Sequence, residues 1–373
     1  MRIAFFTETF LPATDGVVTR LKHTIEELQR AGDEMLVIAP KYGEGPGSYL
    51  GVPIHRVPSV PFPPYPQIKL APVNRAVGRA LRKFSPDLIH AVNPFILGPG
   101  GLFYAKRLNV PLVASYHTNI ATYADYYNLG FARRGTAWYT RNLHNRADLN
   151  LCTSQATFRY LASERVERLR LWPQGVDAER FHPDKFSKHW RVRLTGGHPE
   201  DHLLLYVGRL AKEKGIERLK DVLAEMPGVR LALVGDGPGR RDLEKVFAGT
   251  PTVFTGTRKG QELSAVYASA DALVFPSTTE TLGLAMLESL ASGLPVLAAR
   301  TGAAGEVVSD GENGVLYEPR SKVSLIEAVR HVLFDEELRL CLSRNARAAA
   351  EGRDWERSTQ ALRGYYLEAL AAR

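Results

Sequence analysis

The feature that most constrains this chain is an alternation of short apolar runs with amphipathic, helix-period segments, and the alternation occurs twice. Residues 2–7, 34–39, 52–57, 87–91, 111–115 and 149–152 read as one series of strands, with helical patterns at 17–31 and 98–108 between them. A second series follows at 203–207, 229–234, 252–255, 272–275 and 295–298, with helices expected at 216–225 and 283–292. Apolar runs that lack polar alternation suit strands buried on both faces, and intervening helices supply the crossovers of a parallel sheet. The join is expected within residues 172–183, where Pro173, Gly175 and Pro183 suit an exposed hinge. Beyond Val315 the pattern is mostly helical, and residues 355–371 can dock back on the first half. The expected domains are therefore 1–172 and 173–354, with 355–373 as a closing helix. Two such α/β sheets place a ligand outside the carboxyl ends of their strands, in a cleft they face.

A chain of 373 residues is long enough for two cores, and 45% hydrophobic with 24% charged residues excludes global disorder. Cys152 and Cys341 are far apart, which argues against a disulfide framework and for a reducing interior. The longest apolar stretch, 282–299, is broken by Glu288, Gly293 and Pro295, so no membrane-crossing helix is expected. Glu8 follows the first apolar run too closely for a signal peptide, and the expected location is the cytoplasm. The net charge of +8 favours anionic partners. No zinc spacing, aromatic RNA-binding signature or long basic tract accompanies it, so membrane lipid or a phosphorylated substrate is expected before nucleic acid.

Chemistry belongs on the loops that follow strands. Asp15-Gly16 precedes a helix, where a glycine admits a phosphate to the helix N-terminus; helix capping by Asp15 explains the same residues. Arg209 and Lys214 lie on a glycine-flanked loop after the first strand of the second series. They suit a diphosphate, or a solvated basic loop. Residues 276–288 carry Glu280 at a helix entrance and Glu288 inside an otherwise apolar helix. If helical throughout, that spacing spans about 12 Å, comparable with the reach from a ribose to the sugar of a nucleotide sugar. A carboxylate accepts from vicinal hydroxyls, but Glu280 as a cap and Glu288 as an exposed helical residue are the plainer alternatives. His117 follows a strand; a lone histidine is more often structural, but an exposed one at a strand's carboxyl end is a fair site candidate. Gly235-Asp-Gly-Pro-Gly departs from the dinucleotide pattern and lacks an acidic residue after the next strand, which disfavours hydride transfer. No metal-binding cluster or Gly-x-Ser-x-Gly elbow is apparent. Arg20 and Lys41 are the cations considered for an anionic sugar, with surface solvation expected of each.

In these residues the sequence resembles glycosyltransferase family 4, the retaining GT-B enzymes, over nearly its whole length. The likeness rests on Thr14-Asp-Gly-Val, Ser115-Tyr-His-Thr, Gly208-Arg-Leu with Lys214-Gly, Gly235-Asp-Gly-Pro and Glu280-x7-Glu288, in that order. Phe6-Thr-Glu-Thr-Phe-Leu-Pro, Asp15-Gly-Val-Val-Thr-Arg and Val92-Asn-Pro-Phe-Ile-Leu-Gly resemble the subgroup that forms sulfoquinovosyl diacylglycerol. Leu282 departs from the phenylalanine of many members. The resemblance implies a GT-B fold of two Rossmann-like domains and transfer of a hexosyl group, sulfoquinovose among the candidates, from a nucleotide sugar to a lipid such as diacylglycerol. A UDP-linked donor, no metal and no other cofactor are implied. It places Gly16, Arg209 and Lys214 at the diphosphate, Glu288 at the ribose, and Leu282, Gly283, Leu284 and Glu280 at the donor sugar. His117 falls at the sugar–acceptor junction, and Gly256, Thr257 and Arg258 beside the base. A nucleotide-sugar epimerase, a transferase with a soluble acceptor and a nucleotide-sugar-binding protein without turnover are the alternatives. Mixed aromatic and basic residues at 58–84 and 123–146 suggest a peripheral contact with an anionic membrane.

Overall fold

A computed structural model describes residues 1–62, 65–117, 133–281 and 283–372. Leu282 and residues 118–132, which include part of the suggested membrane segment 123–146 with Tyr123, Tyr126, Tyr127 and Phe131, lie outside the described residues. The chain divides into two compact units: Met1–Gln174 with Trp355–Arg373, and Gly175–Asp354.

The first unit is built on β1 (Arg2–Thr7), β2 (Glu34–Pro40), β3 (Ser48–Tyr49), β4 (Val52–Val57), β7 (Leu88–Val92), β8 (Leu112–Tyr116), β9 (Leu149–Cys152) and β10 (Leu169–Leu171). β5 (Val60–Phe62) and β6 (Tyr65–Leu70) form a separate antiparallel pair. In the main sheet the order is β10-β9-β8-β7-β1-β2-β4-β3, parallel except for the β3–β4 pair. The order reverses direction at β1, which pairs with β2 on one side and β7 on the other. Helix α1 (Gly16–Arg30) starts where Asp15 Oδ1 accepts from Val18 N–H at 2.9 Å. It buries Val18, Leu21, Ile25 and Leu28, spaced for one helical face. Helix α2 (Arg75–Phe84), capped by Asn74, buries Val77, Gly78 and Leu81 against α3 (Gly98–Leu108) and the sheet. Helices α4 (Arg133–His144) and α5 (Gln155–Ser163) complete the crossovers, and the last helix, Trp355–Ala371, packs in this unit.

The second unit holds β11 (His202–Val207), β12 (Val229–Val234), β13 (Thr252–Gly256), β14 (Ala272–Phe275), β15 (Val296–Ala299) and β16 (Gly314–Tyr317), all parallel in the order β13-β12-β11-β14-β15-β16. The reversal falls at β11, between β12 and β14. Around it lie α6 (Lys188–Leu194), α7 (Leu219–Glu225), α8 (Arg240–Val246), α9 (Gly260–Ala268), α10 (Leu284–Ala291), α11 (Ala304–Val307), α12 (Lys322–Phe334) and α13 (Glu336–Glu351). Apolar residues on both faces of the sheet form two packed layers, one with Leu204, Leu231 and Val329 and the other with Leu203, Phe275 and Leu287.

Several expectations need correction. Beyond Val315 the chain is mostly helical, as expected, but Val315 itself lies in β16, a strand whose four residues are too few to show a period. The helix expected over 216–225 is a 3₁₀ turn, Ile216–Arg218, followed by α7. The boundary between the units, Gln174/Gly175, falls within 172–183; in that segment Pro173 and Pro183 are exposed, whereas Trp172, Val176 and Phe181 are buried. Cys341 is exposed despite its apolar neighbours, whereas Cys152 is buried; both are free thiols. Arg20 is not solvated either. It is 1% exposed, its guanidinium lies 3.7 Å from the Trp172 ring centroid, and it donates to the Trp172 and Pro173 carbonyls at 3.1 and 2.6 Å.

Candidate active site

In an open α/β sheet, a crevice forms where neighbouring strands send their chain to opposite faces, at the carboxyl ends. In the second unit this point lies between β11 and β14. The loop after β11 is held by the turn after β12: Leu210 N–H donates to the Asp236 carbonyl at 3.0 Å and Gly239 N–H to the Leu210 carbonyl at 2.8 Å. Gly235 has φ +144°, and a Cβ there would stand 1.9 Å from the Gly208 carbonyl oxygen. Only glycine permits that approach, so Gly235-Asp-Gly serves packing of two backbones.

This packing presents Arg209 and Lys214 at the end of β11. Arg209 donates to Glu213, whose side chain is wholly buried, on the next turn. Lys214 Nζ lies 3.2 Å from Glu280 Oε2, joining the loop after β11 to the one after β14. Glu280 Oε1 accepts from Gly283 N–H at 3.0 Å and Thr281 N–H at 3.2 Å. Glu280 thus holds the turn that leads into the helix and partners a cation. Gly283, at φ +66°, is the residue from which α10 departs, and Leu284 is the first, half-buried residue of the helix. The eight residues from Glu280 to Glu288 are therefore not one helical rise.

Glu288 projects from α10 toward α9 and accepts from the Tyr267 hydroxyl at 2.9 Å. Its residue is half-buried by area, yet protein encloses the carboxyl. Desolvation raises its pKa to about 7, opposed by the Tyr267 hydrogen bond and by the charge of Arg180. The carboxyl is poised near neutrality, a common property of functional sites. Gly256 ends β13, two strands from β11, and Thr257 and Arg258 follow it. Gly256 accepts from Gly235 N–H at 3.1 Å, Thr257 is exposed, and Arg258 pairs with Glu262 at 3.6 Å and lies 5.3 Å from the Trp190 ring. The structure thus brings Lys214, Glu280 and Gly283 together, seats Arg209 on the same loop, and gives Glu288 its own surroundings.

The other two candidates stand in the first unit. Gly16 is the first residue of α1, directly behind the Asp15 cap. His117 directly follows β8 and is buried, at 2% exposed. Its Nε2 is 2.8 Å from Ser115 Oγ, which is 2.8 Å from His90 Nε2; His90 Nδ1 is 2.6 Å from the Tyr366 hydroxyl. Burial depresses the pKa of both imidazoles, assisted by the charge of Arg20, to about 3 for His90 and well below its usual value for His117.

Sequence reasoning missed Glu213, Tyr267 and Glu8. Glu213 carried a signal, since a carboxylate four residues after Arg209 can pair with it on one turn. Tyr267 and Glu8 carried none, because their partners are distant in sequence. Glu8 Oε1 accepts from the N–H groups of Phe95, Ile96, Leu97 and Gly98 at 2.8, 2.8, 2.8 and 3.0 Å, at the start of α3.

The profile of Glycosyltransferase Family 4 matches residues 14–180, and that of Glycosyl transferases group 1 matches residues 194–349. The chain is 38% identical to a sulfoquinovosyl transferase of Arabidopsis thaliana over 97% of this chain and 72% of that one. It is also 38% identical to a GDP-mannose-dependent alpha-mannosyltransferase of Mycolicibacterium smegmatis, over 100% of this chain and 99% of the relative. An alpha-monoglucosyldiacylglycerol synthase of Streptococcus pneumoniae is 30% identical over 85% of this chain and 75% of its own. Among solved structures, sucrose-phosphate synthase from Thermosynechococcus elongatus superposes with a TM-score of 0.85 at 23% identity, over 100% of both chains. That likeness establishes the same fold class, two Rossmann-like parallel α/β units.

Proposed function

The chain belongs to glycosyltransferase family 4, and from that premise we propose that it is a retaining enzyme transferring a hexosyl group from a nucleoside-diphosphate sugar to a lipid acceptor such as diacylglycerol. Glycosyl transfer itself follows from the family; the donor, the acceptor and the stereochemistry are the proposal. The observation that carries it is the Lys214–Glu280 pair at the β11/β14 crossover, beside Arg209 and the entrance of α10. An arriving diphosphate exchanges partners with Lys214, and the freed Glu280 carboxylate turns to the hydroxyls of the sugar. Backbone N–H groups of Gly283 and Leu284 lie at the same helix entrance.

The reaction breaks the bond from the anomeric carbon to the diphosphate oxygen, and the electron pair leaves with the nucleoside diphosphate. Arg209 and Lys214 meet the charge that builds on that oxygen, which lowers the barrier because they are already in place. The acceptor hydroxyl forms the new bond on the same face, and its proton passes to the departing phosphate. Glu288 receives the ribose hydroxyls, and Gly256, Thr257 and Arg258 lie by the base. In the first unit, His117 keeps the role toward the sugar that the family resemblance implies.

No metal takes part in this reading. Among the described residues, the His/Cys/Asp/Glu group with ligand spacing is His198, Glu200 and Asp201. It precedes β11, at the end of that strand opposite Arg209, so it offers nothing to the diphosphate. EDTA should leave the rate unchanged, and full loss restored by magnesium or manganese would contradict this.

A lipid acceptor brings the protein to a membrane surface. Residues Arg75, Arg79, Arg82 and Lys83 of α2 are exposed, and so are Phe103, Lys106 and Arg107 of the adjacent α3 and Trp138 of α4. The apolar residues of α2 cover the first unit's core: Val77 and Leu81 are buried in it, with Val73, Ala80 and Phe84 packed against it. Attraction to anionic headgroups therefore rests on the cations, each contributing about 1 kcal/mol near such a surface. The relatives whose printed names are a sulfoquinovosyl transferase and a monoglucosyldiacylglycerol synthase support the lipid reading.

The test offers labelled UDP-hexoses, including UDP-sulfoquinovose, and GDP-mannose, each with diacylglycerol vesicles or with soluble sugars. Label in a glycolipid, with the donor's anomeric configuration by NMR, is the expected result. Label only in a soluble product, in the epimerised donor, or in an inverted glycoside would overturn the corresponding part.

A further inference from the structure

Tyr366, His90, Ser115 and His117 form a continuous buried chain that no step above uses. Tyr366 belongs to the last helix, His90 to β7 and Ser115 to β8, and all three are fully buried. The directions of the hydrogen bonds follow from what each group can donate. The Tyr366 hydroxyl has one hydrogen, and its only hydrogen-bond partner among the described residues is His90 Nδ1, at 2.6 Å. A buried hydroxyl without an acceptor is penalised, so Tyr366 donates and His90 Nδ1 accepts.

His90 is neutral, because burial and the nearby Arg20 guanidinium hold its pKa at about 3. A neutral imidazole that accepts at Nδ1 carries its proton on Nε2. His90 Nε2 therefore donates to Ser115 Oγ at 2.8 Å. Ser115 also has a single hydrogen, and both of its hydrogen-bond partners among the described residues are imidazole nitrogens. Having accepted from His90, it donates to His117 Nε2, also at 2.8 Å. The two histidines must differ at Nε2, one protonated and one bare.

We infer that Tyr366, His90 and Ser115 act as positioning residues that fix His117 as the Nδ1-protonated tautomer, so that any proton His117 donates during glycosyl transfer comes from Nδ1. The geometry of His117 agrees with a fixed ring. Its backbone N–H donates to Asn93 Oδ1 at 3.2 Å, and its ring stands edge-on to Trp172 with centroids 5.7 Å apart. Arg20 stacks on the same tryptophan, so its charge disfavours the imidazolium that would place protons on both nitrogens. The catalytic half of this inference rests on the proposed role of His117; the tautomer does not.

The test is the long-range ¹H–¹⁵N spectrum of the full-length, ¹⁵N-histidine-labelled protein, with the His117 and His90 signals assigned by their loss in His117→Gln and His90→Gln. The expected spectrum at neutral pH shows His117 protonated on Nδ1 and bare on Nε2, with His90 the reverse. Ser115→Ala and Tyr366→Phe should each convert His117 to a mixture of tautomers. In Ser115→Ala, kcat should fall roughly tenfold, the scale seen for groups that orient a functional histidine, with donor KM changed less than twofold. A His117 proton on Nε2 in the wild-type chain would overturn the inference, and that reading needs no variant to fold. The expected spectrum with unchanged kcat in a folded Ser115→Ala would overturn its catalytic half, while labelled glycolipid would still uphold the proposed transfer.

Discussion

In the first unit, the turn after β1 meets the start of the helix after β7 through Glu8, whose oxygen accepts four successive N–H groups. In the second, the turn after β11 meets the segment after β14 through Lys214 and Glu280. The strand orders around the two places correspond, β8-β7-β1-β2 and β15-β14-β11-β12. One topology thus yields two crevices with different contents. Backbone amides at a crossover point attract an anion. The first unit supplies that anion from its own chain as Glu8, whereas in the second the carboxylate on the amides, Glu280, is itself paired with Lys214, with Arg209 on the same loop. On the proposed reading a nucleoside diphosphate belongs at the β11/β14 crossover, where Lys214 and Arg209 stand.

Replacing Glu8 is expected to have the largest effect. Glu8→Ala removes the common acceptor of four amides and should destabilise the protein by about 3 kcal/mol, since unsatisfied buried donors are penalised individually. Thermal unfolding measures this, and an unchanged melting temperature would break the comparison on the side of the first unit. Burial raises the pKa of this carboxyl despite its four donors.

Lys214→Ala should reduce kcat by roughly 2–4 kcal/mol of barrier, or about 30- to 1,000-fold, with the fold intact. Arg209→Ala should match it in rate and also lower stability, because it withdraws the guanidinium from buried Glu213. Near-normal turnover in both variants would dissolve the assigned role of the second crevice.

Glu288→Gln should raise the donor KM more than it lowers kcat, since ribose contacts exist in ground and transition states alike. The pH dependence sharpens this. The folded pKa near 7 lies above the ordinary 4.5, so the stabilisation from this group is complete below about pH 4.5 and is lost as pH rises through 7. Glu288→Gln should therefore be relatively more stable above pH 7, by about 1–3 kcal/mol. Wild-type donor KM should fall between pH 6 and 8 as the carboxylate forms, and the variant should show a flat profile. A sloping profile in the variant would assign the titration elsewhere.

The smallest effect belongs to the surface. Replacing Arg75, Arg79, Arg82 and Lys83 by Ser should weaken sedimentation with anionic vesicles at low salt and leave soluble-phase donor binding alone. Equal partition of the wild-type chain to neutral and anionic vesicles would remove the membrane from the account.

How much of this was visible in the sequence depends on the range of the interaction. The βαβ alternation was legible because a strand buried on both faces must be apolar throughout, and β1, β7, β8, β11, β12 and β14 all show it. Strand β16 was lost because four residues cannot establish a period, and α7 was misjudged at its start because the 3₁₀ turn before it shares the helical pattern. Arg209, Lys214, Glu280 and Glu288 were found as charges on loops after strands or inside an apolar helix. Their partners were found less well. Glu213 lies four residues from Arg209, whereas Glu8 meets amides almost ninety residues away, and the Tyr366–His90 bond joins the last helix to a central strand. Nothing in a local window distinguishes such a tyrosine from one that merely fills a core. Arg20 was misplaced toward solvent for the same reason: its burial is decided by its packing on Trp172.

The most direct measurement is calorimetric titration of UDP and GDP into the wild-type protein and into Lys214→Ala, Arg209→Ala and Glu8→Gln variants shown to be folded. The account predicts binding of at least one nucleotide by the wild type and by Glu8→Gln with similar affinity, and a loss of tenfold or more in each second-unit variant. Retained affinity in Lys214→Ala and Arg209→Ala, with loss in Glu8→Gln, would place the diphosphate at the crossover of the first unit and contradict it.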